Sequence, residues 1–150
     1  MRNLKNTIIL LVIIFFTFNS FAQTNQEADK IIGLWQTGSG KGRVQITKYG
    51  NKFSGKIVWL LEPNDAKGNP KLDSKNPDVN RQKNTTIGIT NLLGFTYEGN
   101  SKYNNGTVYD PENGKTYKCN MTLENINSLN VRGYIGFSFI GRTDVWTRVK

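Results

Sequence analysis

Along most of the chain short apolar runs are cut every eight to twelve residues by Gly, Asn and Asp, and inside each run apolar and polar side chains tend to alternate. Alternation with a period of two places successive side chains on opposite faces of a strand, and runs of this length bounded by turn residues are the mark of an all-β domain. The pattern predicts strands at about Ile32 to Gln36, Arg43 to Lys48, Lys52 to Leu61, Ile87 to Phe95, Gly106 to Tyr109, Thr116 to Leu123, Ser128 to Ile140 and Thr143 to Val149. About eight strands in this length suit an antiparallel up-and-down barrel, with a sandwich as the other closed arrangement. No segment keeps a helical apolar period. Alternation puts Phe53, Ile57, Trp59 and Leu61 on one face, Tyr117, Cys119, Met121 and Leu123 on another, and Val131, Gly133, Ile135, Phe137 and Phe139 on a third.

Two turns are legible from residue chemistry. Tyr49-Gly50-Asn51-Lys52 places two residues tolerant of positive φ between strands, as a tight hairpin needs. In Asp110-Pro111-Glu112-Asn113-Gly114-Lys115 the proline presets φ for a type I turn and Gly114 supplies the left-handed closing residue. The same run has a calcium-like look, but it lacks the alternating acids and distal Glu of a calcium loop, so Asp110, Pro111 and Gly114 read as turn formers.

The stretch from Pro63 to Asn84 differs in kind: it holds three of the four prolines, five Lys or Arg, three Asp and no aromatic residue. A segment so polar buries little hydrophobic surface, which predicts an excursion outside the barrel, either a lid or a plain surface loop, that tolerates shortening.

The beginning of the chain changes the picture of where the domain works. MRNLKN carries Arg2 and Lys5, an apolar run follows from Thr7 to Phe18, and Ser20-Phe21-Ala22 closes the segment, which is the layout of a secretory signal peptide. Twelve apolar residues span only about 18 Å as a helix, short of the ~30 Å needed for a membrane anchor. The expected boundaries are therefore 1–22 for a cleaved leader and 23–150 for a single β-barrel domain, exported and periplasmic or extracellular, with Gln23 as first residue. Cleavage of 22 of the 150 residues leaves 128, enough for a packed core. Cys119 is the only cysteine, so no internal disulfide forms, and its alternation places it in the core as a small hydrophobe.

Charge and composition then narrow the chemistry. Without Arg2 and Lys5 the formal charge falls from +9 to +7, a basic balance suited to acidic small molecules or anionic envelope surfaces, and nucleic acid is not an expected partner of an exported chain. The chain contains no histidine. Ser-His and Cys-His nucleophile pairs are thereby excluded, as is a zinc site built on imidazole, and no pair of acids stands out for acid-base work. The expectation is a non-catalytic protein with no cofactor and no metal ligands.

Several motifs together resemble the bacterial family of domain of unknown function 2147 (DUF2147). They are Gly106-Thr-Val-Tyr109-Asp110-Pro111-Glu-Asn-Gly114-Lys115-Thr-Tyr117, Leu129-Asn-Val-Arg132-Gly133-Tyr134, and Gly141-Arg142-Thr143 leading to Trp146-Thr-Arg148-Val149, with Gly33-Leu34-Trp35 and Asp73-Ser-Lys-Asn76-Pro77-Asp78 then Arg81 upstream. The chain departs from the pattern after Arg81, where Lys83-Asn84-Thr85 stands in place of a second Arg with Pro and Leu. That resemblance covers about Ile32 to Val149 and implies an exported, lipocalin-like barrel with no established activity. It also implies barrel closure by Gly33, Trp35 and Arg148, the indole covering the closed end and the arginine of the last strand lying across it.

Two functions follow as expectations. The first is a carrier of one small amphiphilic or acidic molecule, with Trp59, Tyr109, Tyr134 and Trp146 offering flat contact area and Lys115, Arg132 and Arg142 meeting an anionic end. In that arrangement the apolar body lies against Trp59 and Phe137. The second is a non-catalytic envelope interaction or structural module whose basic surface touches membrane or wall polymers.

Overall fold

The computed structural model describes residues 26–150, so the expected leader and the new terminus at Gln23 lie outside the described residues. Residues 26–29 form one helical turn. Residues 31–150 make an antiparallel barrel closed in the order of the chain. Its strands are β1 (Gly33–Gln36), β2 (Gly42–Tyr49), β3 (Lys52–Leu60), β4 (Thr90–Tyr97), β5 (Lys102–Asp110), β6 (Lys115–Asn125), β7 (Ser128–Tyr134) and β8 (Gly141–Arg148). Every strand pairs with its neighbours in sequence, and β1 pairs with β8 to close the ring. The up-and-down barrel expected from the alternation is thus the architecture found.

Three strands depart from expectation. β7 stops at Tyr134, and Ile135, Phe137, Phe139 and Ile140, expected as strand, are exposed at 71%, 67%, 76% and 61%. Gly136 takes φ +73° there, and the Ile140 amide donates to the Phe137 carbonyl to make a turn. β5 starts at Lys102, four residues earlier than Gly106, because Tyr103 is fully buried while the neighbouring Asn104 and Asn105 hide it in the sequence. β4 runs from Thr90 to Tyr97, later than the expected Ile87 start, since Gly88 at φ +104° breaks the strand geometry.

One end of the barrel is filled. The β2–β3, β4–β5 and β6–β7 turns rim it, and Phe53, Phe95, Tyr103, Met121 and Leu129 are all 1% exposed or less. Phe53 and Tyr103 meet edge to face at 5.2 Å, an arrangement that favours aromatic pairs. Gly106 gives Phe95 its room: a Cβ there would stand 2.5 Å from the Phe95 ring. Cys119 is fully buried, and desolvation pushes its thiol up to about 12, in keeping with a core hydrophobe.

The β5–β6 turn closes as its residues dictate. Gly114 takes φ +72° and its amide donates to the Asp110 carbonyl at 2.8 Å, while the Asp110 carboxylate accepts from the Glu112 amide and the Asn113 side chain. No cluster of three or more metal-type ligands occurs among the described residues.

Candidate functional site

Closure of the ring is built on three residues. Gly33 and Trp35 alternate onto the inner face of β1, and Trp35 is paired across the seam with Arg148. The Arg148 guanidinium lies 4.2 Å from the Trp35 ring centroid. Gly33 makes this possible, for a Cβ at that position, where φ is +147°, would stand 2.3 Å from an Arg148 nitrogen. Arg148 also donates to the carbonyls of Ile32 and Ile126, and the indole of Trp35 donates to Ile31 at 2.9 Å. Ring, cation and carbonyls therefore seal the filled end.

The opposite end is more open. Register with buried Cys119 and Val131 turns Val108, Tyr117, Gly133 and Asp144 inward, and all four are half-buried instead of sealed. A Cβ added to Gly133 would meet Val108 at 3.4 Å and Tyr117 at 3.7 Å, ordinary contact distances, so a methyl would pack against these two side chains without a clash. Trp146, 4% exposed, forms the floor beside them, its indole donating to Asp144 at 2.7 Å. The Gly38 amide of the β1–β2 turn also donates to Asp144. On β4, Asn91 sits where two residues face Gly55, and its Oδ1 is buried with no hydrogen-bond partner among the described residues.

The candidates expected from the sequence are spread over both faces. Trp146 is inward, and register turns Lys115 and Arg142, both exposed, toward the rim of the open end. Trp59 is outside: a bulge between Arg43 and Val44 shifts the alternation, so Trp59 pairs with Arg43, which in turn pairs with Gln36, the outward neighbour of Trp35. Its ring packs against the Arg43 guanidinium at 4.5 Å. Tyr134 and Arg132 also face outward by register. Arg132 holds the β7–β8 loop, donating to the carbonyls of Ser138 and Phe139 and to the Thr143 hydroxyl. Trp59 and Phe137 consequently do not form one apolar wall, because the first is carried outward by the bulge and the second lies in an exposed loop.

Tyr109 is outward too, and it anchors the polar loop. Its hydroxyl donates to Asp73 at 2.5 Å, and Asn76 donates to the other Asp73 oxygen at 2.6 Å. Asp73 is 2% exposed, and burial together with that carboxylate pushes the Tyr109 hydroxyl up to about 12. Gln82 donates to the Asn76 carbonyl, Lys75 to that of Glu112, and a Cβ on Gly114 would stand 2.0 Å from the Lys75 carbonyl oxygen. These contacts tie the excursion to outward-facing Tyr109 and to the β5–β6 turn, so it is not a loosely held loop. Its anchors are polar, and so invisible to hydropathy; the Asp73 to Asp78 motif and Tyr109 were the available signal.

A family model described as "Uncharacterized protein conserved in bacteria (DUF2147)" matches residues 33–148. The chain belongs to the DUF2147 family. Among solved structures it is similar to protein HP1028 from the human pathogen Helicobacter pylori, described as belonging to the lipocalin family. The two share 22% identity over 80% of this chain and 83% of that one, with a TM-score of 0.71. No curated protein matches the sequence. This DUF2147 chain accordingly has a lipocalin-like barrel, sealed by Gly33, Trp35 and Arg148 at one end and partly open at the other.

Proposed function

We propose that this DUF2147 protein is an exported, non-catalytic carrier that takes one small amphiphilic or acidic molecule into the open end of its barrel. The observation that carries the reading is the contrast between the two ends, one filled by fully buried side chains and the other lined by half-buried Val108, Tyr117, Gly133 and Asp144. Barrels of eight strands are wide enough for one small ligand. Trp146 and Val108 suit an apolar body, while Lys115 and Arg142 at the rim suit an anionic end, a charge-assisted contact that keeps its charge partly in water.

The test is titration with anilinonaphthalene sulfonate, an anionic amphiphile whose fluorescence rises in apolar surroundings. Wild-type protein should give a saturable signal. Gly133→Leu should weaken it by about tenfold or more, because a leucine at this inward position extends past Val108 and Tyr117 into the open end while its Cβ meets only ordinary contacts. Circular dichroism must show the barrel intact. Equal binding by wild type and Gly133→Leu, or no saturable binding by the wild type, rejects the lumen as the site.

A further inference from the structure

The β7–β8 loop carries a feature that ligand binding does not use. Within six residues it exposes Ile135, Phe137, Phe139 and Ile140, and the two phenylalanine rings stack with centroids 5.5 Å apart. Scattered exposed apolar residues are ordinary; a contiguous cluster marks a contact surface. The loop also lies at the open end of the barrel, since β7 runs toward it from the β6–β7 turn at the filled end.

We infer that this loop is a membrane-docking tip that enters the interface of a bilayer containing anionic phospholipid. Three observations favour lipid over a protein partner. First, three carbonyls at the tip of the loop are already paired within the protein. Arg132 satisfies the carbonyls of Ser138 and Phe139 and the turn satisfies that of Phe137, and unpaired carbonyls are what an apolar phase penalises. Second, the charge is one-sided: no Asp or Glu occurs from Asn125 to Thr143, while Arg132 and Arg142 flank the tip and Lys118 pairs with Tyr134 at its base. Cations at the base sit at phosphate level when apolar side chains reach the acyl boundary, and their stems can lie along the apolar surface. Third, four side chains on one turn are too few for the roughly 1,000 Å² that a stable protein interface needs, so a second copy of the chain is a poor occupant. Docking would turn the open mouth of the barrel toward the bilayer, from which an amphiphile enters; that consequence rests on the carrier reading, whereas the docking itself does not.

The experiment is flotation of the mature protein with phosphatidylcholine vesicles that contain or lack phosphatidylglycerol, together with size-exclusion chromatography. Binding to the anionic vesicles is expected, with a weaker response to neutral ones and a decline between ~50 and ~500 mM salt. The exposed pair Phe137→Ser and Phe139→Ser should reduce binding about tenfold with an unchanged melting temperature, and Phe137→Leu with Phe139→Leu should keep most of it. Lys118→Gln should weaken only the anionic response. Soluble glycerol phosphate should not compete, which separates a bilayer from a free anion. Absence of vesicle binding, equal binding by the serine pair, or equal affinity for neutral vesicles overturns the inference. So does a dimer that the serine pair dissociates while vesicle binding stays the same, for then the tip seats a second copy. Because anilinonaphthalene sulfonate binding is read without vesicles, failure here leaves the carrier result standing, and failure there leaves this one.

Discussion

Trp35→Ala should destabilise the barrel by about 3–5 kcal/mol, the usual range for deleting a fully buried large aromatic side chain. Trp35 has no exposed surface, and its loss removes the wall against which the Arg148 guanidinium lies. Arg148→Met keeps much of the stem while discarding the charge and the donors to Ile32 and Ile126, so it should cost less than Trp35→Ala but still weaken closure. The double variant decides whether the two act together. Denaturant unfolding of the four proteins should give a coupling of about 0.5–2 kcal/mol, in the range of a partly desolvated cation–π contact. Additive losses would mean that Arg148 works through the carbonyls alone and that the ring is only its neighbour.

Asp73→Ala should cost about 2–3 kcal/mol, although it lies in a stretch whose polarity suggests that substitutions there are harmless. The buried carboxylate accepts from both Tyr109 and Asn76, and truncating it strands two donors where water does not reach easily. Replacing the whole excursion by a short linker should be milder than this point change, since Tyr109 would then be solvated again; loss of both partners is often nearly neutral, loss of one is not. The same contact gives the loop an alkaline limit. Burial and Asp73 raise the Tyr109 hydroxyl from 10.0 to about 12, so its contribution is complete below the unfolded value near 10 and disappears as pH rises through the folded one. Limited proteolysis of residues 63–84 should therefore accelerate in that alkaline window in wild-type protein, and this step should be absent in Tyr109→Phe. An identical alkaline step in Tyr109→Phe would assign it to another group.

Alternation made the barrel readable because a closed sheet with one buried face imposes period two on nearly every strand. Tyr117, Cys119, Met121 and Leu123 show that rule at work, and all four face inward. It failed where geometry changed without a residue to announce it. Trp59 keeps the spacing of an inward residue, but the bulge on β2 and β3 moves it outside, and a bulge of this kind has no sequence mark beyond its effect. Ile135, Phe137 and Phe139 continue the strand pattern into an exposed loop, because alternation does not register that Gly136 at φ +73° turns the chain out of the strand. The closing trio of Gly33, Trp35 and Arg148 was legible through resemblance, and the structure adds why the glycine is needed. Candidate ligand residues were harder. Aromatic and basic types could be picked out, yet which face each occupies depends on register, and only Trp146, Lys115 and Arg142 turn toward the lumen or its rim.

Whether the open end of the barrel is a ligand lumen can be read by amide chemical-shift mapping during titration with an anionic amphiphile. A ligand in the lumen should give saturable shifts concentrated on Val108, Tyr117, Gly133, Asp144 and Trp146, with outward Trp59 and Tyr134 unaffected at the same ligand concentration. Shifts confined to outward-facing residues, or none at saturating amphiphile, would contradict it.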